Sequence, residues 1–102
     1  AQLPPFAHLA LLRAEAPHAA ALQAFLDAAH PLAQGHDGVV AHAPVPAPMP
    51  RRAGRLRGQV LLEAVRRPAL QAALRRVVAQ LYALPEARRV RWSLDVDPVD
   101  LY

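Results

Sequence analysis

Two stretches of the chain repeat their apolar residues with the spacing of an α-helix. In the first, apolar side chains recur every three or four residues from His18 to Ala33, and Gly35 follows as a stop signal. In the second, the repeat begins near Pro68 and ends before Pro85. The periodic positions are Leu22, Phe25, Leu26, Ala29 and Leu32, then Leu70, Leu74, Val77, Val78 and Leu81. The pattern therefore predicts two helices.

Four further stretches have the composition or the alternation of β-strands. Residues 6–15 form an apolar run that ends before Pro17, and residues 39–43 form a shorter one. Residues 55–64 and 89–97 alternate between apolar and polar side chains, as strands with one buried face do. Their polar faces comprise Arg55, Arg57, Gln59 and Glu63, and Arg89, Arg91, Ser93, Asp95 and Asp97; Val90, Trp92, Leu94 and Val96 form the inward face of the last strand.

The order of these elements predicts an α+β domain. The predicted order is strand, helix, strand, strand, helix, strand, which is the split β-α-β plan of ferredoxin-like folds. In this plan a four-stranded antiparallel sheet carries both helices on one face. We expect the other face to be open, and Phe25 and Trp92 to anchor the core. Between the second and third strands, a proline at every second position favours an extended polyproline-type conformation. The sequence therefore predicts one domain over 1–102 with a stiff arm over 44–54.

Length and composition narrow the class of protein. A chain of 102 residues, 54% of them hydrophobic and 20% charged, suits one domain with one core. It contains no cysteine, which excludes disulfides and thiolate zinc sites. No apolar run approaches the ~20 residues of a membrane span, so we expect a cytoplasmic protein with no membrane partner. Because the sequence begins with Ala1 rather than Met, we treat it as part of a longer protein.

The basic residues are concentrated in the second half of the chain. All 12 are arginines, and eleven lie between Arg51 and Arg91. The formal net charge of +4 combines −2 over residues 1–50 with +6 over residues 51–102. A codon bias toward arginine explains the absence of lysine but not this clustering. A polyanion is therefore the expected partner.

Six of these arginines fall on the predicted open face or on the adjoining arm. They are Arg51, Arg52, Arg55, Arg57, Arg89 and Arg91. Guanidinium groups form forked hydrogen bonds with phosphate oxygens, whereas base-specific RNA-recognition sheets also need exposed aromatic residues. Since Trp92 is expected in the core, the pattern favours contact with the nucleic-acid backbone without sequence recognition. The alternative is an arginine face that is solvated or docks on another domain.

The chain is poor in catalytic and metal-binding patterns. It has no lysine, no phosphate-binding P-loop and no Gly-x-Ser-x-Gly turn, and three of its histidines are spaced six residues apart. Asp95 and Asp97 lie two apart on one predicted strand, so their carboxylates point to the same face. Such a pair can hold a divalent cation, act as acid and base in catalysis, or form ion pairs with arginines of a neighbouring strand. We favour ion pairs with Arg57, Arg89 and Arg91. We expect no enzymatic activity, metal or cofactor in this chain.

Two motifs are distinctive, Trp-Ser-Leu-Asp-Val-Asp-Pro at 92–98 and Arg-Ala-Gly-Arg-Leu-Arg at 52–57. Together with segments at 4–6, 9–15 and 44–48, they make nearly the whole chain resemble the carboxy-terminal domain of the bacterial primosomal replication-restart helicase PriA. The resemblance implies a fold like that of ribosomal protein S10. It also implies that the ATP, magnesium and zinc sites of the ATP-dependent 3′–5′ helicase lie in other domains.

The resemblance further implies an accessory DNA-binding and partner-docking domain that acts at abandoned replication forks. The implied partners are forked and single-stranded DNA, the helicase core of the same polypeptide and other primosome proteins, in the cytoplasm at the bacterial nucleoid. Two alternatives stay open: a purely structural domain docked on the helicase lobes, and an RNA-binding or ribosome-associated module of the same fold. Family members commonly end soon after the Asp-Pro, so the purpose of the tail Val99–Tyr102 is open.

Arg67 and Gln71 form the expected site for a further partner. Pro68 suits the first helical position, which places Arg67 at the N-cap, where a cation opposes the helix dipole but is well placed to hold an anion. Gln71 lies one turn further along the same face. The resemblance implies that this pair contacts the acidic, phenylalanine-ended tail of the single-stranded-DNA-binding protein, together with the helicase core. The alternative is a solvated pair of arginines, Arg66 and Arg67, beside a neutral glutamine.

Overall fold

The computed structural model describes residues 8–97, which form five strands, two α-helices and a short 3-10 helix. The elements are β1 (His8–Ala16), α1 (Ala19–Ala33), β2 (Val39–Ala41), β3 (Val45–Arg52), β4 (Arg55–Ala64), α2 (Arg67–Ala83), the 3-10 helix (Pro85–Arg89) and β5 (Arg91–Val96). The α+β class is confirmed. No helix in the described region has the length and apolar character that a membrane crossing requires. The tail Val99–Tyr102 and the start of the predicted first strand lie outside the described residues.

The strands form one antiparallel sheet in the order β2-β4-β1-β5, and β3 also pairs with β4. β1 is central, because it pairs with β4 on one side and with β5 on the other. Since β1 occupies one edge of β4 along residues 56–64, β2 and β3 share the other edge. The prediction of four strands is therefore wrong, because the sheet has five.

The additional strand, β3, is the segment predicted as a polyproline-type arm. The extended backbone of proline fits a strand, and at the edge of a sheet only alternate N–H groups bond to a neighbour, so missing donors are tolerated. β3 pairs with β4 through Val45 and Pro46 near one end and through Arg51 and Arg52 at the other, with a register shift between them. Much of the predicted arm over 44–54 is thus part of the sheet.

A two-residue turn joins β3 to β4. Ala53 and Gly54 have φ values of 52° and 77°, as in a type I′ hairpin turn. Glycine adopts this conformation without strain, whereas alanine adopts it at a cost. The turn places Arg52 directly opposite Arg55.

Both helices pack against the same face of the sheet. Phe25 of α1, Leu70 and Leu81 of α2, and Leu12 and Leu62 of the sheet are at most 1% exposed and belong to one apolar cluster. Burying one such side chain stabilises the fold by about 1.5–3 kcal/mol. Most of the predicted helical stripe residues are buried in this cluster, so its location is confirmed.

Trp92 lies at the margin of this core. It is half-buried on the helix side of β5, with its ring centroid 6.5 Å from that of Phe25 and 5.0 Å from that of Tyr82. Tyr82 itself is 76% exposed. Trp92 therefore faces the core as predicted but is only partly buried at its margin, and its indole ring does not lie on the opposite face of the sheet.

β5 is shorter than predicted. Pro85 opens a 3-10 helix that runs to Arg89, so the strand begins only at Arg91. Val96, predicted to face inward, is 43% exposed at the end of the strand. The prediction that placed Arg89 on this strand is therefore wrong.

Candidate nucleic-acid interface and peptide site

The face of the sheet opposite the helices, called the open face below, carries the odd-numbered residues of β1, β4 and β5. The strand register places Glu15 of β1 between Arg57 of β4 and Arg91 of β5. Arg13 lies two residues earlier on β1, on the same face. Three arginines therefore surround one glutamate.

The guanidinium groups of Arg57 and Arg91 are oriented by weak contacts. Arg57 donates a hydrogen bond from Nη1 to the carbonyl oxygen of Met49, at 3.2 Å. Arg91 Nη1 lies 3.5 Å from Glu15 Oε1, and the Arg91 side chain is 71% exposed. The groups border a depression of about 230 Å³ whose lining includes Arg13, Glu15, Ala47, Arg57, Arg91 and Ser93. Each guanidinium has five N–H donors, so Arg57 and Arg91 keep several for phosphate oxygens.

The β3–β4 hairpin brings three more of the predicted arginines to this end of the sheet. Arg51 and Arg52 are exposed and Arg55 is half-buried, two residues before Arg57 on the same strand. Arg52 and Arg55 are directly opposite each other, an arrangement of like charges that destabilises an isolated sheet. An anion at this position relieves that repulsion. The structure thus brings five of the six predicted arginines to one end of the sheet, with Arg51 opposite the core-facing Leu56 and therefore on the helix side of the hairpin.

Arg89 does not join this group. It lies in the 3-10 helix and borders a depression together with Ala20 and Ala24 of α1, on the helix side of the sheet. The strand alternation that predicted its position does not apply, because its backbone is helical. Its predicted place on the open face is therefore wrong.

Asp95 and Asp97 do not form a carboxylate pair. Asp95 Oδ2 accepts a hydrogen bond of 2.6 Å from Arg13 Nη1 on the open face. Asp97 follows the end of β5 with a φ of 50°, and its Oδ2 lies 3.5 Å from Arg67 Nη2. Both aspartates pair with arginines, as predicted, but with Arg13 and Arg67 rather than with Arg57, Arg89 and Arg91.

The histidines are dispersed. His36 Nε2 is 2.8 Å from the carbonyl oxygen of Leu32, and His42 Nε2 contacts Glu63 Oε1. Among residues 8–97, no three histidine, aspartate or glutamate side chains are grouped closely enough to hold a metal ion.

Arg67 and Gln71 lie one helical turn apart at the start of α2. The N-cap is Arg66 rather than Arg67, because Arg67 already belongs to the helix. No side chain of the described region caps this helix start. The Arg67 side chain is 61% exposed and Gln71 is half-buried. The predicted pair is thus accessible, with its arginine beside Asp97.

The side of α2 next to this pair carries both signs of charge. Arg66, Arg76, His36 and Asp37 border a depression of about 520 Å³ between α2 and the loop that follows α1. Arg66 thus adds a second positive charge next to Arg67, whereas Arg76 lies more than two helical turns further along α2.

Residues 1–99 match the family described as Primosomal protein N C-terminal domain. The chain belongs to this family. A curated relative is the Replication restart protein PriA of Haemophilus influenzae, 39% identical over 101 residues. This match covers 97% of the chain but 14% of the relative. The PriA C-terminal domain described here therefore corresponds to a small part of that protein.

Solved structures share the fold of this domain. The de novo designed protein Foldit4 matches with a TM-score of 0.65 at 7% identity, covering 92% of this chain and 99% of its own. A protein of unknown function from Nitrosomonas europaea matches with a TM-score of 0.57 at 23% identity, covering 89% and 87%. The C-terminal DNA binding domain of the MHV-68 latency-associated nuclear antigen matches with a TM-score of 0.50 at 16% identity, covering 92% and 75%. At these identities the likeness concerns the fold alone.

Sequence reasoning missed one residue of the open face of this PriA C-terminal domain. Arg13 was outside the arginine-rich half, yet it lies beside Glu15 and Arg57 in the folded domain. A signal was present in the sequence, because Arg13 and Glu15 are spaced two apart in a first strand that contains no other arginine, aspartate or glutamate.

Proposed function

We propose that this PriA C-terminal domain is an accessory DNA-binding and partner-docking domain of a replication-restart helicase. It binds the sugar-phosphate backbone of forked and single-stranded DNA without reading sequence, in the cytoplasm at the bacterial nucleoid. Catalysis, with its ATP, magnesium and zinc, is assigned to the rest of a longer protein, and this domain itself takes no cofactor. The name of the Haemophilus influenzae relative supports the role in replication restart.

The observation that carries the DNA proposal is the gathering of arginines at one end of the sheet. Arg52 and Arg55 at the hairpin adjoin Arg57 and Arg91 on the open face, and Arg51 lies at the same end of the sheet on its helix side. The open-face positions of β1, β4 and β5, within residues 8–97, carry no aromatic side chain on which a base stacks. Backbone contact therefore fits this surface better than base recognition.

The salt dependence of DNA binding tests the proposal. If about 4–6 phosphates are neutralised, the logarithm of the association constant falls with the logarithm of salt concentration at a slope of about −3 to −5. Fluorescence anisotropy with labelled forked DNA, single-stranded DNA and RNA of one length measures this slope. Addition of a chelator leaves it unchanged, because binding uses no metal.

Paired substitutions locate the surface. Arg55→Ala with Arg57→Ala weakens binding to every DNA equally and lowers the slope by about 1–2. Arg75→Ala with Arg76→Ala, two exposed arginines of α2, removes the same charge elsewhere and is the matched control. Equal losses for both pairs contradict a localised surface. Absence of DNA binding at low salt favours a purely structural docking domain, and a strong preference for RNA favours a ribosome-associated module.

The docking part of the proposal concerns Arg67 and Gln71. The acidic tail of the single-stranded-DNA-binding protein offers carboxylates to the exposed Arg67 guanidinium and amide partners to Gln71. The helicase core and other primosome proteins are the further proposed partners. Titration with a labelled tail peptide is expected to show at least about tenfold weaker binding for Arg67→Ala, because a charge-assisted hydrogen bond is lost. Unchanged affinity for both Arg67→Ala and Gln71→Ala removes this site.

A further inference from the structure

Asp97 ties together the start of β1 and the start of α2. Its backbone N–H donates to the carbonyl oxygen of Leu9 at 2.6 Å, and its Oδ1 accepts the N–H of Leu9 at 3.3 Å. Oδ1 also lies 3.9 Å from His8 Nδ1, and Oδ2 lies 3.5 Å from Arg67 Nη2. The carboxylate is therefore held from the β1 side while one of its oxygens points at Arg67.

The backbone at Asp97 explains this direction. Its φ of 50° lies in the left-handed region, which Asn, Asp and Gly adopt more readily than other residues. A regular strand would have placed the side chain on the open face with Asp95. Because β5 ends at Val96, the chain turns and the carboxylate reaches the helix side instead.

The start of α2 has no carboxylate of its own. Its first turn contains no acidic residue, and an anion near a helix start is favourable because the unpaired N–H groups carry partial positive charge. Asp97, from another element, supplies that anion beside Arg67. The pair is weak, since the two side chains are 61% and 42% exposed and their closest atoms are 3.5 Å apart.

We propose that Asp97 is an internal competitor for Arg67, and that an acidic peptide binds at this site by displacing it. This inference rests on the proposed peptide-docking function. Asp97 occupies one side of the guanidinium and repels a second carboxylate, so the free domain binds acidic peptides less tightly than Arg67 alone allows. Val96, 43% exposed next to Asp97, offers an apolar contact to the terminal phenylalanine of such a peptide.

The Asp97→Asn variant tests the competition. Asparagine tolerates the left-handed backbone and still accepts the Leu9 N–H, so the fold is retained while the charge is removed. Affinity for a synthetic acidic nonapeptide ending in phenylalanine, measured by NMR titration of the 102-residue chain, is expected to rise about threefold to tenfold. Asp97→Gly, which also suits this backbone, is a second variant with the same expected direction.

Asp95→Asn is the matched control. The Asp95 and Asp97 side chains are both 42% exposed, but Asp95 pairs with Arg13 on the other face of the sheet. The Asp95→Asn substitution removes the same charge as Asp97→Asn and is expected to leave peptide affinity unchanged. If Asp97→Asn binds the peptide equally or more weakly while Arg67→Ala abolishes binding, the competition is overturned and the docking site stands. If Arg67→Ala has no effect, or if neither the wild type nor Asp97→Asn binds the peptide when the titration is repeated on the longer protein with its helicase core, both proposals fail.

Discussion

Among single residues, Glu15 has a distinctive position on the open face. It lies between Arg57 and Arg91 in the strand register, and its carboxylate forms an ion pair with Arg91 at 3.5 Å. The Glu15 side chain is only 25% exposed, whereas that of Arg91 is 71% exposed. A phosphate that approaches these two arginines therefore meets a fixed negative charge between them.

Replacement of Glu15 by Gln is expected to tighten DNA binding. Removal of one unit charge at about 5–6 Å from a bound phosphate in a water-like medium corresponds to about a threefold gain in affinity. Anisotropy titration at low salt measures it, and Glu86→Gln, in the 3-10 helix, is the control for net charge. Weaker binding of Glu15→Gln would instead show that Glu15 orients Arg91 for its ligand.

At the scale of elements, β4 has two faces with different tasks. Its even-numbered residues from Val60 to Ala64 are buried against the helices, while its odd-numbered residues, apart from Leu61, carry the polar and basic side chains of the open face. Gly58 is part of this packing, because a Cβ atom there would lie 2.7 Å from Leu26 Cδ1 of α1. The close approach of α1 fixes which face of β4 is inside.

Two neighbouring leucines of β4 test this assignment. Leu62→Ala is expected to lower the free energy of unfolding by about 2–5 kcal/mol, because Leu62 is fully buried in the cluster. Leu61→Ala changes the same side chain on the opposite, half-buried face and is expected to cost less than about half as much. Urea denaturation measures both. Equal losses would mean that the two faces of β4 are buried alike.

At the scale of the whole molecule, stability and charge are segregated. The described core is apolar, with no buried charged residue among residues 8–97, and the arginines lie at the surface. Foldit4 has a similar fold at 7% identity, so the fold itself does not depend on particular side chains. We therefore expect the arginines of the surface to contribute little to the stability of the fold.

The salt dependence of folding stability and that of DNA binding are expected to differ. An increase from 0.05 to 0.5 M is expected to change the free energy of unfolding by less than about 1 kcal/mol, because the ion pairs are partly or largely exposed. The same change is expected to weaken DNA binding by at least about a thousandfold. Urea denaturation and anisotropy titration at both salt concentrations provide the comparison. A parallel loss of stability would show that the arginines support the fold.

The sequence by itself determined the features that depend on local periodicity. Helical spacing placed α1 and α2, alternation placed β4 and the inward face of Trp92, and the arginine count placed the basic surface in the second half. The helix and strand features follow from the number of residues per helical turn and per strand repeat, which neighbouring residues reveal, whereas the distribution of charge is read directly from the sequence. The motifs at 52–57 and 92–98 likewise indicated the family.

The tertiary structure alone decided the features that depend on a distant partner. The proline-rich segment became β3 because the edge of β4 accepts its backbone. Asp97 turned toward Arg67 through a single left-handed residue held by β1. Edge pairing and one backbone dihedral angle are set by contacts between residues far apart in the chain, which local patterns do not contain.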